Sequence, residues 1–210
     1  MVKRIELHHD HDQLQQDIKK YCQLSLDRGA SAALPIPASL ISVDERVRMK
    51  CRYPLCAVYG KCMNCPPHTG SVEDTRRQVK LFTYAIALKL DVASERVLGS
   101  AAVNEGAEDL RKLSEIISAV ESAAFYDGYY FATGFSSATC MSVWCKGLEC
   151  QALQGKGCRY QARVYASMEA VGIDVYRLAA SVGWDIYPVG TKATADMFPL
   201  GSRCGLVLIE

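Results

Sequence analysis

The clearest hydrophobic periodicity in the chain lies in residues 107–126, where apolar side chains recur every three or four positions. The positions that make this stripe are Leu110, Leu113, Ile116, Ile117, Val120 and Ala124. Such spacing places the apolar groups on one face of an α-helix, and Gly128 is expected to end it. A weaker stripe in residues 12–26, from Leu14 to Leu26, predicts a second helix with Asp12 as its N-cap.

Other segments show the composition of buried strands. Residues 83–92 and 129–135 are rich in apolar, aromatic and β-branched side chains, and residues 184–189 and 204–209 predict two closing strands. Residues 28–42 contain Pro35 and Pro37, which exclude a regular helix and favour a loop or a short extended segment.

The remaining helix signals are local. Ser42 followed by Glu45 is a capping-box pattern and predicts a short helix from Val43. Ser71 is expected to cap a helix that runs to about Phe82. Two more helices are predicted in residues 161–171 and 174–182, separated at Gly172 and with Asp174 as the cap of the second.

This alternation of strands and helices predicts an α/β fold, a mixed sheet flanked by helices. A length of 210 residues, half of them hydrophobic, fits one domain over residues 1–210 with its own core. The net charge of +1 argues against nucleic-acid and membrane partners.

The cysteine content changes this picture, because the chain has ten cysteines. The charged N-terminus, MVKRIELHHDHDQL, lacks the apolar region of a secretory signal, so a cytoplasmic location is expected. In a reducing compartment clustered cysteines more often bind metal or act in catalysis than form disulfides. An oxidised extracellular disulfide framework is the alternative.

Eight of the cysteines form two groups in turn-rich segments, residues 51–68 and 140–158. The first cysteine group consists of Cys51, Cys56, Cys62 and Cys65, and the second consists of Cys140, Cys145, Cys150 and Cys158. Thiolate quartets are the ligands of iron–sulfur clusters and of structural zinc. Zinc usually takes two C-x2-C pairs, and here only Cys62 and Cys65 form one, so the spacing favours iron–sulfur over zinc.

Charged residues near both groups are mainly basic. No acidic residue falls between Arg46 and Val72, and Arg52 and Arg159 are the candidates for contact with a cofactor. Positive charge suits the dianionic centre that four thiolates form with iron–sulfur or zinc. His68 is a candidate ligand or proton donor, against the alternative of a solvent-facing loop residue.

Several other polar or sulfur side chains have simpler explanations. His8, His9 and His11 could bind metal but are typical of a solvated terminus. Cys22 and Cys204 are expected to be small core residues. Glu169 and Asp174 could form an acid–base pair, although a helix-surface glutamate and a helix cap explain them more simply.

The chain resembles a known family, the predicted metal-binding proteins with domain of unknown function 2284. The matching residues are Lys50-Cys51, Cys56, Tyr59-Gly60, Cys65 to His68, Ala124-Phe125, Gly128 to Tyr130 and, most specifically, CRYQARVYASMEAVGIDV from Cys158 to Val175. The resemblance implies cysteine-bound metal, in particular iron–sulfur, in organisms with anaerobic metabolism. It also suggests that the second group is more widely spaced here than in the family and that Cys62 is an addition.

Together these observations predict two [4Fe-4S] clusters, one in each cysteine group, and a role in electron transfer with a redox partner protein. One alternative is an enzyme whose cluster leaves one iron free for substrate and needs only three protein ligands. Another is a zinc-stabilised interaction module. The oligomeric state stays open, a homo-oligomer included.

Overall fold

The computed structural model describes residues 4, 5 and 10–210. Its strands are β1 (Ala32–Pro37), β2 (Tyr84–Val92), β3 (Thr133–Phe135) and β4 (Gly201–Leu208). Its α-helices are α1 (His11–Asp27), α2 (Glu45–Arg52), α3 (Val72–Val79), α4 (Gly99–Asn104), α5 (Gly106–Tyr126), α6 (Cys140–Val143) and α7 (Val175–Ser181). Short 3-10 turns at Gln151–Gln154 and Glu169–Val171 also contribute to the sites below.

The four strands form one sheet in the order β1-β2-β4-β3. All three ladders are antiparallel, and an isolated parallel bridge joins Ser136 and Ser167. Pro35 and Pro37 fit in β1 because this strand lies at the sheet edge, where a missing N–H is tolerated. The predicted α/β fold is therefore confirmed, with antiparallel ladders where a mixed sheet was expected.

Both faces of the sheet are covered. Side chains alternate along β2, so Ile86 and Leu88 face a core made with α1 and α5, whereas Ala85 and Ala87 face a second core. The second core is completed by residues from β4, α7 and the turn at Glu169–Val171. The sheet is thus the middle of three layers. Among helices in the described ranges, none has the length and apolar content to cross a membrane.

The strongest sequence patterns give the right elements. Helix α5 and strands β2 and β4 occur where the periodicity and composition predict them. Ser71 caps α3 and forms a capping box with Asp74. Asp174 caps α7 by accepting from the N–H of Arg177 at 3.0 Å. Two caps were assigned wrongly: Asp10 caps α1 instead of Asp12, and Asp44 caps α2 instead of Ser42.

Two predicted elements are wrong. Residues 161–168 are not helical, because their backbone bonds to the edge of the sheet: Ser136 N–H donates to Ala166 O and Met168 N–H donates to Ser136 O, both at 3.0 Å. Residues 184–189 form no strand; Trp184 and Ile186 instead pack their side chains against the second core. Strand β3 is also shorter than predicted, since residues 129–132 form a turn.

Candidate metal centre

The first cysteine group begins on a helix and continues into a tight loop. Cys51 lies in the last turn of α2, and its carbonyl accepts from the N–H of Cys56 at 2.9 Å. Farther along, Cys65 N–H donates to Cys62 O at 3.2 Å. Arg48 ties the end of the loop back to α2 by donating to Gly70 O at 2.5 Å. The loop is therefore closed on itself by its own backbone and by one arginine.

The second cysteine group follows the short edge strand β3. Thr139 caps α6, with its Oγ1 accepting from Met141 N–H at 3.3 Å, and Cys140 is the first residue of that helix. Cys150 precedes the 3-10 turn at Gln151–Gln154, which ends at a left-handed Gly155. Because β3 is paired with β4, the sheet determines where this loop begins.

The two cysteine groups are in contact with each other. Cys65 Sγ donates to Thr139 Oγ1 at 3.4 Å, and Cys62 Sγ lies 3.7 Å from the same oxygen. Asn64 Nδ2 donates to Cys140 Sγ at 3.8 Å, and Cys62 and Cys140 lie close enough to shift each other's pKa. Segments that are far apart in sequence thus place their thiols side by side.

Five of the eight thiols line a single cavity of about 190 Å³. They are Cys62, Cys140, Cys145, Cys150 and Cys158. The other three thiols are Cys51, Cys56 and Cys65, and the charge of Cys56 contributes to the raised pKa of both Cys51 and Cys65. Cys62 is therefore a member of the first group by sequence and of the second by position.

The close thiols affect one another's ionisation. Hydrogen bonds from Cys140 and Cys65 lower the pKa of Cys62, while hydrogen bonding to Cys62, together with burial, raises the pKa of Cys65 and Cys140. Burial alone raises the pKa of Cys22 to about 11. At the contact between the two groups the thiolate, which is the metal-binding form, is therefore favoured at Cys62 and disfavoured at Cys65 and Cys140.

The basic residues differ in whether they line the thiol cavity. Arg159 lines the cavity, donates to Glu149 O at 2.7 Å and opposes the effect of burial on the pKa of the Cys145 thiol. Arg46 is paired with Asp44 at 2.5 Å. Arg52 is exposed and stacks on Tyr53 at 5.5 Å. Of the three predicted cofactor contacts, Arg159 lines the thiol cavity, whereas Arg52 and His68 are exposed and do not line it.

Some residues at the site were not predicted. Thr139 and Asn64 bridge the two groups, and Trp144, next to Cys145, is stacked between Arg111 at 5.2 Å and Arg163 at 5.8 Å. A threonine directly before a short helix is a common cap signal and could have drawn attention to Thr139. Arg111 comes from α5, so no local pattern indicates its contact.

None of the other candidates in the described part of the chain lines the thiol cavity. The His68 ring is exposed, with Nε2 at 3.3 Å from Gly60 O, as expected of a solvent-facing loop residue. His11 lies in α1, whereas His8 and His9 lie outside the described residues. Cys22 and Cys204 are buried in the cores, as predicted. The helix-surface position predicted for Glu169 is wrong, because its Oε2 is buried.

Thiols as donors suit soft or borderline metals such as zinc, copper(I) and iron–sulfur clusters. Neither the curated proteins nor the solved structures include a significant match to the chain. A family model does match, DUF2284, described as "Predicted metal-binding protein", and it spans residues 35–209 with both cysteine groups inside. The chain therefore belongs to this family of predicted metal-binding proteins.

Proposed function

We propose that the protein binds two iron–sulfur clusters of the four-iron type and transfers single electrons. The first cysteine group would hold one cluster and the second group the other. Such a cluster, when bound, stores and releases one electron at a potential set by nearby charge and by hydrogen bonds to sulfur. The observation that carries the proposal is the contact between the two groups, in which Cys62 and Cys65 lie at Thr139 and Asn64 bonds to Cys140.

The arrangement of the thiols supports a cluster over a single zinc ion. Zinc holds four sulfurs at ~2.3 Å and hence only about 3.8 Å from one another. In the described part of the chain, no three Cys, His, Asp or Glu side chains are gathered to hold one ion. The thiols instead surround a cavity of about 190 Å³, space for roughly six waters at ~30 Å³ each. A multi-atom cofactor suits this geometry better.

The surroundings of the thiols support electron transfer. Arg159 at Cys145 and the stacked Arg111 and Arg163 place positive charge near the second group, which favours the more negative reduced state of a cluster. Near the exposed Cys56, the side chains of Lys50, Arg52 and Lys61 are also exposed. These cations would attract an acidic redox partner protein.

Anaerobic purification followed by metal and sulfide analysis is the direct test. We expect about eight iron and eight sulfide per chain, from two four-iron clusters, with a brown absorption spectrum and a paramagnetic signal in the reduced state. A colourless protein that contains zinc would instead identify the zinc-stabilised module and contradict the proposal.

The position of Cys62 favours a second candidate, a cluster-dependent enzyme. Cys62 lines the cavity with all four members of the second group, which leaves Cys51, Cys56 and Cys65 as a set of three. A cluster with three protein ligands keeps one iron open to substrate, where it acts as a Lewis acid or in sulfur transfer.

Cys62→Ser separates the two candidates. If the first cluster needs four thiolates, this variant should lose about half of its iron, as should Cys56→Ser, because each lacks one ligand. If three thiolates suffice, Cys62→Ser should keep its full iron content while Cys56→Ser still loses half. Iron per chain, measured on both variants purified side by side without oxygen, decides between them.

A further inference from the structure

A second polar cavity, of about 230 Å³, lies between α7, the first residues of β4 and the segment 186–189. The polar side chains on its wall are Ser137, Glu169, Tyr176, Tyr187, Ser202 and Arg203. Its volume corresponds to roughly eight waters at ~30 Å³ each, or to a solute with about that many non-hydrogen atoms. None of the eight clustered cysteines lines it, so it is separate from the candidate metal centre.

Two charged side chains on this wall have buried atoms without partners. Glu169 Oε2 and Arg203 Nε are both buried, and neither has a hydrogen-bond partner in the described residues. They therefore do not bond to each other. A buried donor or acceptor without a hydrogen bond lowers the stability of the folded state, and a charged one lowers it further. Native proteins therefore rarely keep such groups unless water or a ligand bonds to them.

Burial outweighs the partial compensation that Glu169 receives from Ser167 and Arg203, and that Arg203 receives from Asp109 and Glu169. Desolvation raises the pKa of Glu169 and lowers the pKa of Arg203, so each lies in an environment that disfavours its charged form. Arg203 is nevertheless held in place, because its Nη2 donates to Arg96 O at 3.1 Å. Arg96 in turn is paired with Asp109 at 2.8 Å. The guanidinium is thus fixed, with its Nε–H unused.

We propose that this cavity binds a small zwitterionic amino carboxylate, in chemical class a free α-amino acid. Its ammonium group would donate to the Glu169 carboxylate and its carboxylate would accept from the Arg203 guanidinium, so that one solute pairs with both charged side chains of the wall through charge-assisted hydrogen bonds. Tyr176 and Leu200, 51% and 48% exposed, lie on the wall and leave a route from solvent. This binding site does not depend on the identity of the metal.

Titration calorimetry of the full-length, anaerobically purified chain with L-serine tests the proposal. We expect saturable binding of L-serine, and at least tenfold weaker binding of acetate and of methylammonium, each of which carries only one of the two charges. Glu169→Gln, which keeps the shape but removes the charge, should weaken L-serine binding at least tenfold. The matched control is Glu115→Gln, on the exposed surface of α5, which should bind like the unmodified protein.

Tyr176→Ala gives an independent check, because Tyr176 is exposed and its loss should not unfold the chain. It should weaken L-serine binding several-fold by removing part of the wall. Absence of L-serine binding to the unmodified protein would overturn the proposal. So would equal binding by Glu169→Gln, or binding of acetate or methylammonium as tight as that of L-serine.

Discussion

Cys65→Ser and Cys145→Ser are each expected to lose about half of the bound iron, and the double variant nearly all of it. Each substitution removes one thiolate from one cysteine group, and a serine hydroxyl is a poor ligand for this soft site. If each group holds its own cluster, the losses add. Iron and acid-labile sulfide per chain, measured after anaerobic purification of the three variants, check the result.

Cys22→Ala is the matched control, because Cys22 lies in the core beside α5 and away from both groups. It should retain the full iron content. The opposite result is also informative: either single variant losing all of its iron would indicate one joined cofactor. That outcome is structurally feasible because Cys62 and Cys140 line the same cavity, and it would contradict two independent clusters.

The sequence predicts the two cysteine groups but not the contact between them. Spacing and composition are local, and they suffice to identify Cys51 to Cys65 and Cys140 to Cys158 as ligand candidates. The contact between the groups depends on how α2 and β3 are placed by the sheet and its two cores. No local pattern encodes that placement, which is why Cys62 was assigned to one group only.

The two wrong elements share a physical cause. Apolar side chains in residues 161–171 and 184–189 do report burial, since Met168 and Ile186 pack against the second core. Periodicity does not indicate, however, which backbone groups are available as hydrogen-bond partners. Here Ser136 bonds to the carbonyl of Ala166 and to the N–H of Met168, in place of helical partners. Because residues 161–168 are not helical, Glu169 does not lie on the surface of an α-helix. Its buried carboxylate oxygen is therefore not predicted by the sequence pattern.

The packing of α5 on the sheet is, by contrast, predictable from the apolar stripe of the helix. Substitutions at this interface are expected to have a large effect on the free energy of unfolding. Ile117→Ala is expected to lower the free energy of unfolding by about 2–5 kcal/mol, because Ile117 is fully buried between α5 and the sheet. Gly205→Ala is expected to cost about 1–3 kcal/mol by overpacking. A Cβ at position 205 would lie only 2.8 Å from Ile117 Cδ1 and 3.3 Å from Leu113 Cδ1.

The double variant Ile117→Ala/Gly205→Ala should be less destabilised than the sum of the two singles, by about 0.5 kcal/mol or more. The reason is that the alanine at 117 removes the atoms that the new methyl group would meet and leaves a space that it can fill. Urea unfolding of the four proteins measures the coupling. Gly190→Ala is the control, because a Cβ there meets nothing within 4 Å, and its effect should simply add to that of Ile117→Ala. Strict additivity at Gly205 would mean that α5 does not fill the space above this glycine. The same helix carries Arg111, which contacts Trp144 beside Cys145, so its placement also determines that of the second cysteine group.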